Sequence, residues 1–118
     1  MSLSLDQILS ANDSAVEKVS CPEWGGDVYI RTLTADERDD LDNARAEGRG
    51  VRSALVGAVL CSEDGTPLKP TDAQVAGLGK KSTAPMERIL DAALALNKMR
   101  PGDLEDTAKN SEPTDEPG

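Results

Sequence analysis

The chain contains no histidine. That removes Ser-His-Asp and Cys-His nucleophilic chemistry, and with it histidine-based metal sites. Its two cysteines, Cys21 and Cys61, are too far apart in sequence for the paired-thiolate spacing of a zinc site. Gly77-Leu78-Gly79-Lys80-Lys81-Ser82 is a fragment of a phosphate-binding loop at most. A Walker loop would need Gly at position 74 and Ser or Thr at 81, where the chain has Gln74 and Lys81, and it would follow a strand. The end of a helix is the better reading. Asp36, Glu37, Asp39, Asp40 and Asp42 lack calcium-loop spacing and point in several directions on a helix, which makes them a solvated face. Acid pairs without a partner base define no general acid–base site. The residues therefore call for no enzyme, no metal and no cofactor. Trp24, the single tryptophan, has two readings: folded back onto the core, or displayed as an interaction anchor.

The charge balance narrows the partners. At 118 residues and a net charge of −9, the chain fits one acidic domain. Residues 1–102 carry 12 Lys+Arg against 16 Asp+Glu, and residues 103–118 carry one Lys against six acids. The last sixteen residues are thus more negative than everything before them. Such a chain repels phosphate backbones and anionic membrane surfaces, so neither nucleic acid nor membrane is expected as a partner. The N-terminus lacks the basic and long apolar regions of a signal peptide, and no apolar run approaches a membrane span. Two reduced thiols in a cytoplasmic protein are expected. With no Phe, one Trp and one Tyr, the core must be aliphatic.

The positioning elements follow from local signals. Ser4 and Gln7 form a capping box for a short helix to about Ala11, with Leu5, Ile8 and Leu9 on one face. Val16–Cys21 and Asp27–Leu33 are strand-like, and Pro22-Glu23-Trp24-Gly25-Gly26 joins them, which predicts a β-hairpin over 16–33. One face of that hairpin must pack on helices. Thr34 and Glu37 open a second helix to about Glu47, with a thin apolar face of Leu41 and Ala44. Val51–Cys61 reads as a buried helix. Thr71 and Gln74 cap a short fourth helix, and Met86, Ile89, Leu90, Ala93 and Leu94 make a clean amphipathic stripe for a fifth. The expected fold is α+β and mostly helical. A short N-terminal helix and one hairpin lead into three to four packed helices, forming a single domain over 1–102. An acidic tail over 103–118 follows, and from Lys109 onward it has no apolar residue and reads as disordered.

The stretch Cys21-Pro22-Glu23-Trp24-Gly25-Gly26-Asp27-Val28-Tyr29-Ile30-Arg31-Thr32-Leu33-Thr34-Ala35-Asp36-Glu37-Arg38 resembles the tail assembly chaperones of siphoviruses and related prophages. There a short N-terminal helix precedes a strand, a Pro-Glu-Trp-Gly-Gly-like connector, a Val-Tyr-Ile-Arg-like strand and a Leu-Thr-x-x-Glu-Arg helix start. The likeness continues through Leu60-Cys61, Glu63-Asp64-Gly65-Thr66-Pro67-Leu68, Lys81-Ser82 and Leu96-Asn97. It implies an assembly factor in the cytoplasm of the bacterial host, absent from the mature virion. Such a factor binds the tape measure protein and helps tail tube subunits polymerise around it. Self-association stays open. A soluble acidic protein with an apolar groove or helix face can shield apolar helices while its charge opposes co-aggregation. On that reading the partner surface is expected at Trp24, Tyr29, Leu55 and Val59, together with Ile89 and Leu94. The family also makes an extended product by programmed ribosomal frameshifting near the end of the gene. Ala108-Lys109-Asn110, which GCA AAA AAC would encode with its slippery heptamer A AAA AAC, stands where the folded domain is expected to end. The alternatives are a structural minor tail or connector protein of the virion, and an acidic protein-binding inhibitor.

Overall fold

The computed structural model describes residues 2–104. In chain order these form α1 (Leu5–Ser10), β1 (Val16–Cys21), β2 (Gly26–Arg31), α2 (Ala35–Ala46), α3 (Val51–Val59), β3 (Leu60–Cys61), α4 (Asp72–Leu78) and α5 (Thr83–Leu96). Short 3₁₀ turns lie at Pro22–Trp24 and Pro101–Leu104. The architecture is the mostly helical α+β fold expected from the sequence.

Three of the helices start where their capping chemistry dictates. At Ser4, Thr34 and Thr71 the hydroxyl oxygen accepts from the backbone N–H three residues on, and the side chain of Gln7, Glu37 or Gln74 accepts from the cap's own N–H. Each box satisfies two backbone donors that a helix start leaves unpaired. At the far end of α2, Gly48 takes φ +73°. Gly48 N–H donates to Arg45 O and Arg49 N–H to Ala44 O, which is a Schellman motif. The same motif closes α5: Met99 N–H donates to Leu94 O, with Lys98 at φ 55° in the place where glycine is usual.

The hairpin runs in register from Val16↔Arg31 to Cys21↔Gly26. Opposed residues share a face, so Val19, Val28, Cys21 and Ile30 point to the helices while Lys18 and Tyr29 lie on the other face. The sheet departs from expectation by gaining a third strand. The helix expected to reach Cys61 stops at Val59, and Leu60 and Cys61 pair with Ile30 and Tyr29. The free edge of β2 offers unpaired backbone groups, and pairing there outweighs two more residues of helix. The chain then turns back through Asp64-Gly65, with Leu68 N–H donating to Leu60 O at 3.1 Å.

The core lies between α3, α5 and the inner face of the sheet. Leu55, Val56, Val59, Ile30 and Ile89 are fully buried and Leu90 nearly so. The core is aliphatic, and burying each such side chain contributes about 1.5–3 kcal/mol. α2 adds only Leu41 and Ala44, as its sequence implies. α4 crosses α3 at Gly57, where an added Cβ would lie 3.0 Å from Val75 Cγ2 and 3.3 Å from Pro70 Cγ. Beyond α5, Met99 and Leu104 are also buried, and Arg45 donates to Asp103 O at 2.9 Å. The packed unit thus takes in Asp103 and Leu104, which the charge pattern had assigned to the tail. Ala108-Lys109-Asn110 and the rest of the acidic tail lie outside the described residues.

Candidate functional site

The tip of the hairpin is held by side chains rather than by the turn alone. Arg88 on α5 donates from both terminal nitrogens to the Glu23 carboxylate, at 2.8 and 2.9 Å, and also to Ser20 O at 3.2 Å. This bidentate pairing, together with a backbone N–H, holds the Glu23 carboxyl down at about 2. Trp24, next in the chain, is half-buried against the core, and Lys81 Nζ sits 5.6 Å from its ring centroid. The ring thus packs inward on one side and meets a cation on the other. Trp24 is thus packed on the core with an accessible margin.

A second constraint lies at the other end of β2. Arg31 is buried at 6% exposure. Its guanidinium donates to Glu37 Oε1 and Oε2 at 2.9 and 2.6 Å, to Ala58 O at 2.9 Å and to Thr32 O at 3.2 Å. Glu37 also accepts from Thr34 N–H at 2.8 Å. One ion pair therefore ties the end of β2 to the start of α2 and the last turn of α3. Arg31 holds the Glu37 carboxyl below its ordinary range, and Glu37 holds the guanidinium above its own. Asn97 makes a similar tie, accepting from Leu33 N–H at 2.7 Å while donating to Ala93 O at 3.0 Å. These contacts hold the fold together, although Arg31 Nε itself is buried without a hydrogen-bond partner.

The predicted partner residues divide sharply. Tyr29 is half-buried on the outer face of the sheet. Leu55, Val59 and Ile89 are completely buried and Leu94 is 8% exposed. These four form the core and offer no surface to a partner, which corrects their placement at a binding face. The physical reason is that α3 and α5 cover one another's apolar stripes. The exposed apolar side chains lie elsewhere. Leu3, Leu5, Ile8 and Leu9 are 53–74% exposed, and α1 has no buried residue at all. Leu68 is 57% exposed, beside a groove of about 310 Å³ lined by Leu60, Leu68, Pro70, Gln74 and Leu78. The signal for α1 was already in the sequence, as the one-face spacing of Leu5, Ile8 and Leu9.

A larger cleft of about 450 Å³ opens between α2 and α3, with Leu41, Ala44, Ala54 and Ala58 at its floor and Glu37, Asp40 and Glu47 among its walls. Among the described residues no three His, Cys, Asp or Glu side chains are grouped to hold a metal ion. Cys21 and Cys61 are buried free thiols, and burial pushes the Cys61 thiol up. Gly77–Ser82 ends α4 with Lys80 N–H donating to Gly77 O and Lys81 N–H to Leu78 O. That is a helix terminus, although Gly79 keeps a right-handed φ of −66°. Among the described residues no helix is long and apolar enough to cross a membrane.

No family of known proteins matches the sequence, and no curated protein matches it. A solved structure does match the fold. The tail assembly chaperone of bacteriophage HK97 aligns with a TM-score of 0.61 over 81% of this chain and 95% of its own length, at 21% identity. The two proteins share a fold.

Proposed function

We propose that this chain is a tail assembly chaperone of a long-tailed bacteriophage, a binding protein rather than an enzyme. The observation that carries the reading is the fold shared with the HK97 tail assembly chaperone over nearly all of that protein. The chain binds the phage tape measure protein, keeps its apolar helices from aggregating, and helps tail tube subunits assemble around it. It acts in the host cytoplasm, is left out of the mature virion, and is also made in a frameshift-extended form through codons 108–110. Net charge of −9 supports the solubilising part of this role, since a partner coated with like-charged protein resists co-aggregation. Trp24 at the locked hairpin tip and Tyr29 on the outer sheet face belong to the partner surface.

The test is co-expression with the tape measure protein of the same phage. The expected result is a soluble tape measure protein that co-purifies with this chain, and purified virions that lack the chain by mass spectrometry. Tape measure protein of unchanged solubility and no co-purification would overturn the reading. A fixed stoichiometry in virions would instead favour a structural tail component.

A further inference from the structure

We propose that the pocket between the end of β2, α3 and loop 67–70 receives one carboxylate, the side chain of an aspartate or glutamate on the partner protein. The identity of the donor as a protein rests on the binding role proposed above. The pocket has a volume of about 190 Å³, and Arg31, Glu37, Gly57, Lys69, Pro70 and Val75 are among its lining residues. Both N–H groups of each terminal nitrogen of Arg31 are spent, Nη1 on Thr32 O and Glu37 Oε1, Nη2 on Glu37 Oε2 and Ala58 O. Nε–H is the one donor left, and it is buried with no acceptor among the described residues. A buried unpaired donor on a cation is costly, and a carboxylate oxygen is the strongest acceptor a protein can offer it.

Two further features fit the pocket to an anion. Lys69 brings a second cation to its wall, and does so at φ 52° immediately before Pro70. A side chain in that left-handed region is strained, and strain of this kind collects at binding sites. Gly57 keeps the pocket open: an added Cβ would lie 3.0 Å from Val75 Cγ2 and 3.3 Å from Pro70 Cγ, so any other residue would fill part of it. Among the titratable lining groups Arg31 and Lys69 stand against Glu37 alone. The net balance is one positive charge, which matches a carboxylate better than the nearly doubly charged phosphate of a phosphorylated side chain. A small free carboxylate would be held by these two cations and little else, with the entropy of its capture unopposed. A side chain presented by a docked protein has that entropy offset by the rest of the contact, so a protein is the source.

The test uses the full chain, isotope-labelled and followed by NMR. Propionate is titrated in as the mimic of a glutamate side chain, with sodium chloride at equal ionic strength and neutral propionamide as controls. The expected result is a saturable shift of Arg31 Nε–H and of the Gly57 and Lys69 amides with propionate alone. Lys69→Asn keeps a residue type that tolerates positive φ and should weaken this response by about threefold or more, with an unchanged far-UV spectrum. Should Lys69→Asn disturb folding, Lys69→Gly takes its place. An Arg31 Nε–H that does not move, or that moves equally with chloride, overturns the proposal. Wild type and Lys69→Asn are then each co-expressed with the tape measure protein, and the variant is expected to retain less of it by a similar factor. Equal capture by both, with propionate still binding wild type, overturns the tape measure protein as the source of the carboxylate. If even wild type captures none, the proposed function fails, whereas the titration still decides the pocket.

Discussion

Replacing Glu37 with alanine should be among the most damaging single changes on the polar part of this molecule, and its cost can be worked from three contacts. The carboxylate receives both guanidinium nitrogens of Arg31 and the backbone N–H of Thr34. Without it, Arg31 stays buried with only the carbonyls of Ala58 and Thr32 as acceptors. Stranding a buried charge costs about 3–5 kcal/mol in the fully enclosed case. Two carbonyls remain here and the Glu37 side chain is 31% exposed, so about 2–3 kcal/mol is the appropriate figure. Losing half of the capping box adds roughly 0.5–1 kcal/mol. Glu37→Ala should therefore cost about 3 kcal/mol, a large share of the 5–15 kcal/mol typical of a domain. Arg31→Met should cost only about 1 kcal/mol, because a partly exposed carboxylate can be hydrated and still caps α2. The double variant should lose less than the sum, since no charge is left stranded. Urea unfolding followed by Trp24 fluorescence and by circular dichroism measures all three. If Glu37→Ala costs no more than Arg31→Met, the ion pair is not what joins β2, α2 and α3.

Acid should loosen the same contacts reversibly. Glu23 and Asp64 are held down at about 2 by Arg88 and by Ser62 and Thr66 respectively, and Glu37 is lowered by Arg31. Carboxyls lowered in the folded state add stability above their unfolded values and lose it as pH falls through the folded ones. The urea midpoint should thus drop between about pH 4 and about pH 2; a flat profile there would deny these pairings. Lys98→Gly should raise stability by about 0.5–1 kcal/mol, because the residue sits at φ 55° where a side chain is strained. Thermal melts check it, and a loss would show that the Lys98 side chain is needed. Gly57→Leu should cost at least about 2 kcal/mol by pushing α4 off α3, since even a Cβ meets Val75 at 3.0 Å. An unchanged melt would place α4 outside the cooperative unit.

Local chemistry was the legible part of this sequence. A capping box needs only four adjacent residues, so the starts of α1, α2 and α4 could be read from Ser4, Thr34 and Thr71 alone. The stripe from Met86 to Leu94 and the hairpin are nearly as local. What escaped was whatever depends on a distant neighbour. Leu60 and Cys61 continue an apolar helical run, and only the open edge of β2 turns them into strand. Arg31 reads as an ordinary strand residue until Glu37, six positions on, is seen to serve both the α2 cap and the guanidinium. Leu104 looks like the first apolar residue of a tail, yet Arg45 draws Asp103 down and Leu104 with it. An amphipathic stripe states that a face will be covered, not by what. Leu55 and Ile89, expected at a partner face, are for that reason covered within the monomer instead.

That last point limits how the protein can engage a partner. Leu55, Val59, Ile89 and Leu94 are used up inside the monomer, and presenting them would mean parting α3 from α5. At about 1.5–3 kcal/mol for each buried aliphatic side chain, exposing these four costs roughly 6–12 kcal/mol. That is the whole stability of a typical domain, and little in an initial encounter could offset it. A partner must therefore be met by groups already outside: the α1 face, the groove at Leu68, Tyr29 on the outer sheet face, and the margin of Trp24 at a hairpin tip fixed by Arg88. The last is fixed before binding by the Arg88–Glu23 pair. α1 is attached through five residues and buries none of its own side chains, so whatever covers it gains apolar burial at a cost mainly in the entropy of a short tether. Contacts through α1 should accordingly be strengthened by shortening residues 11–15 without preventing reach, whereas contacts at Trp24 should be indifferent to that change.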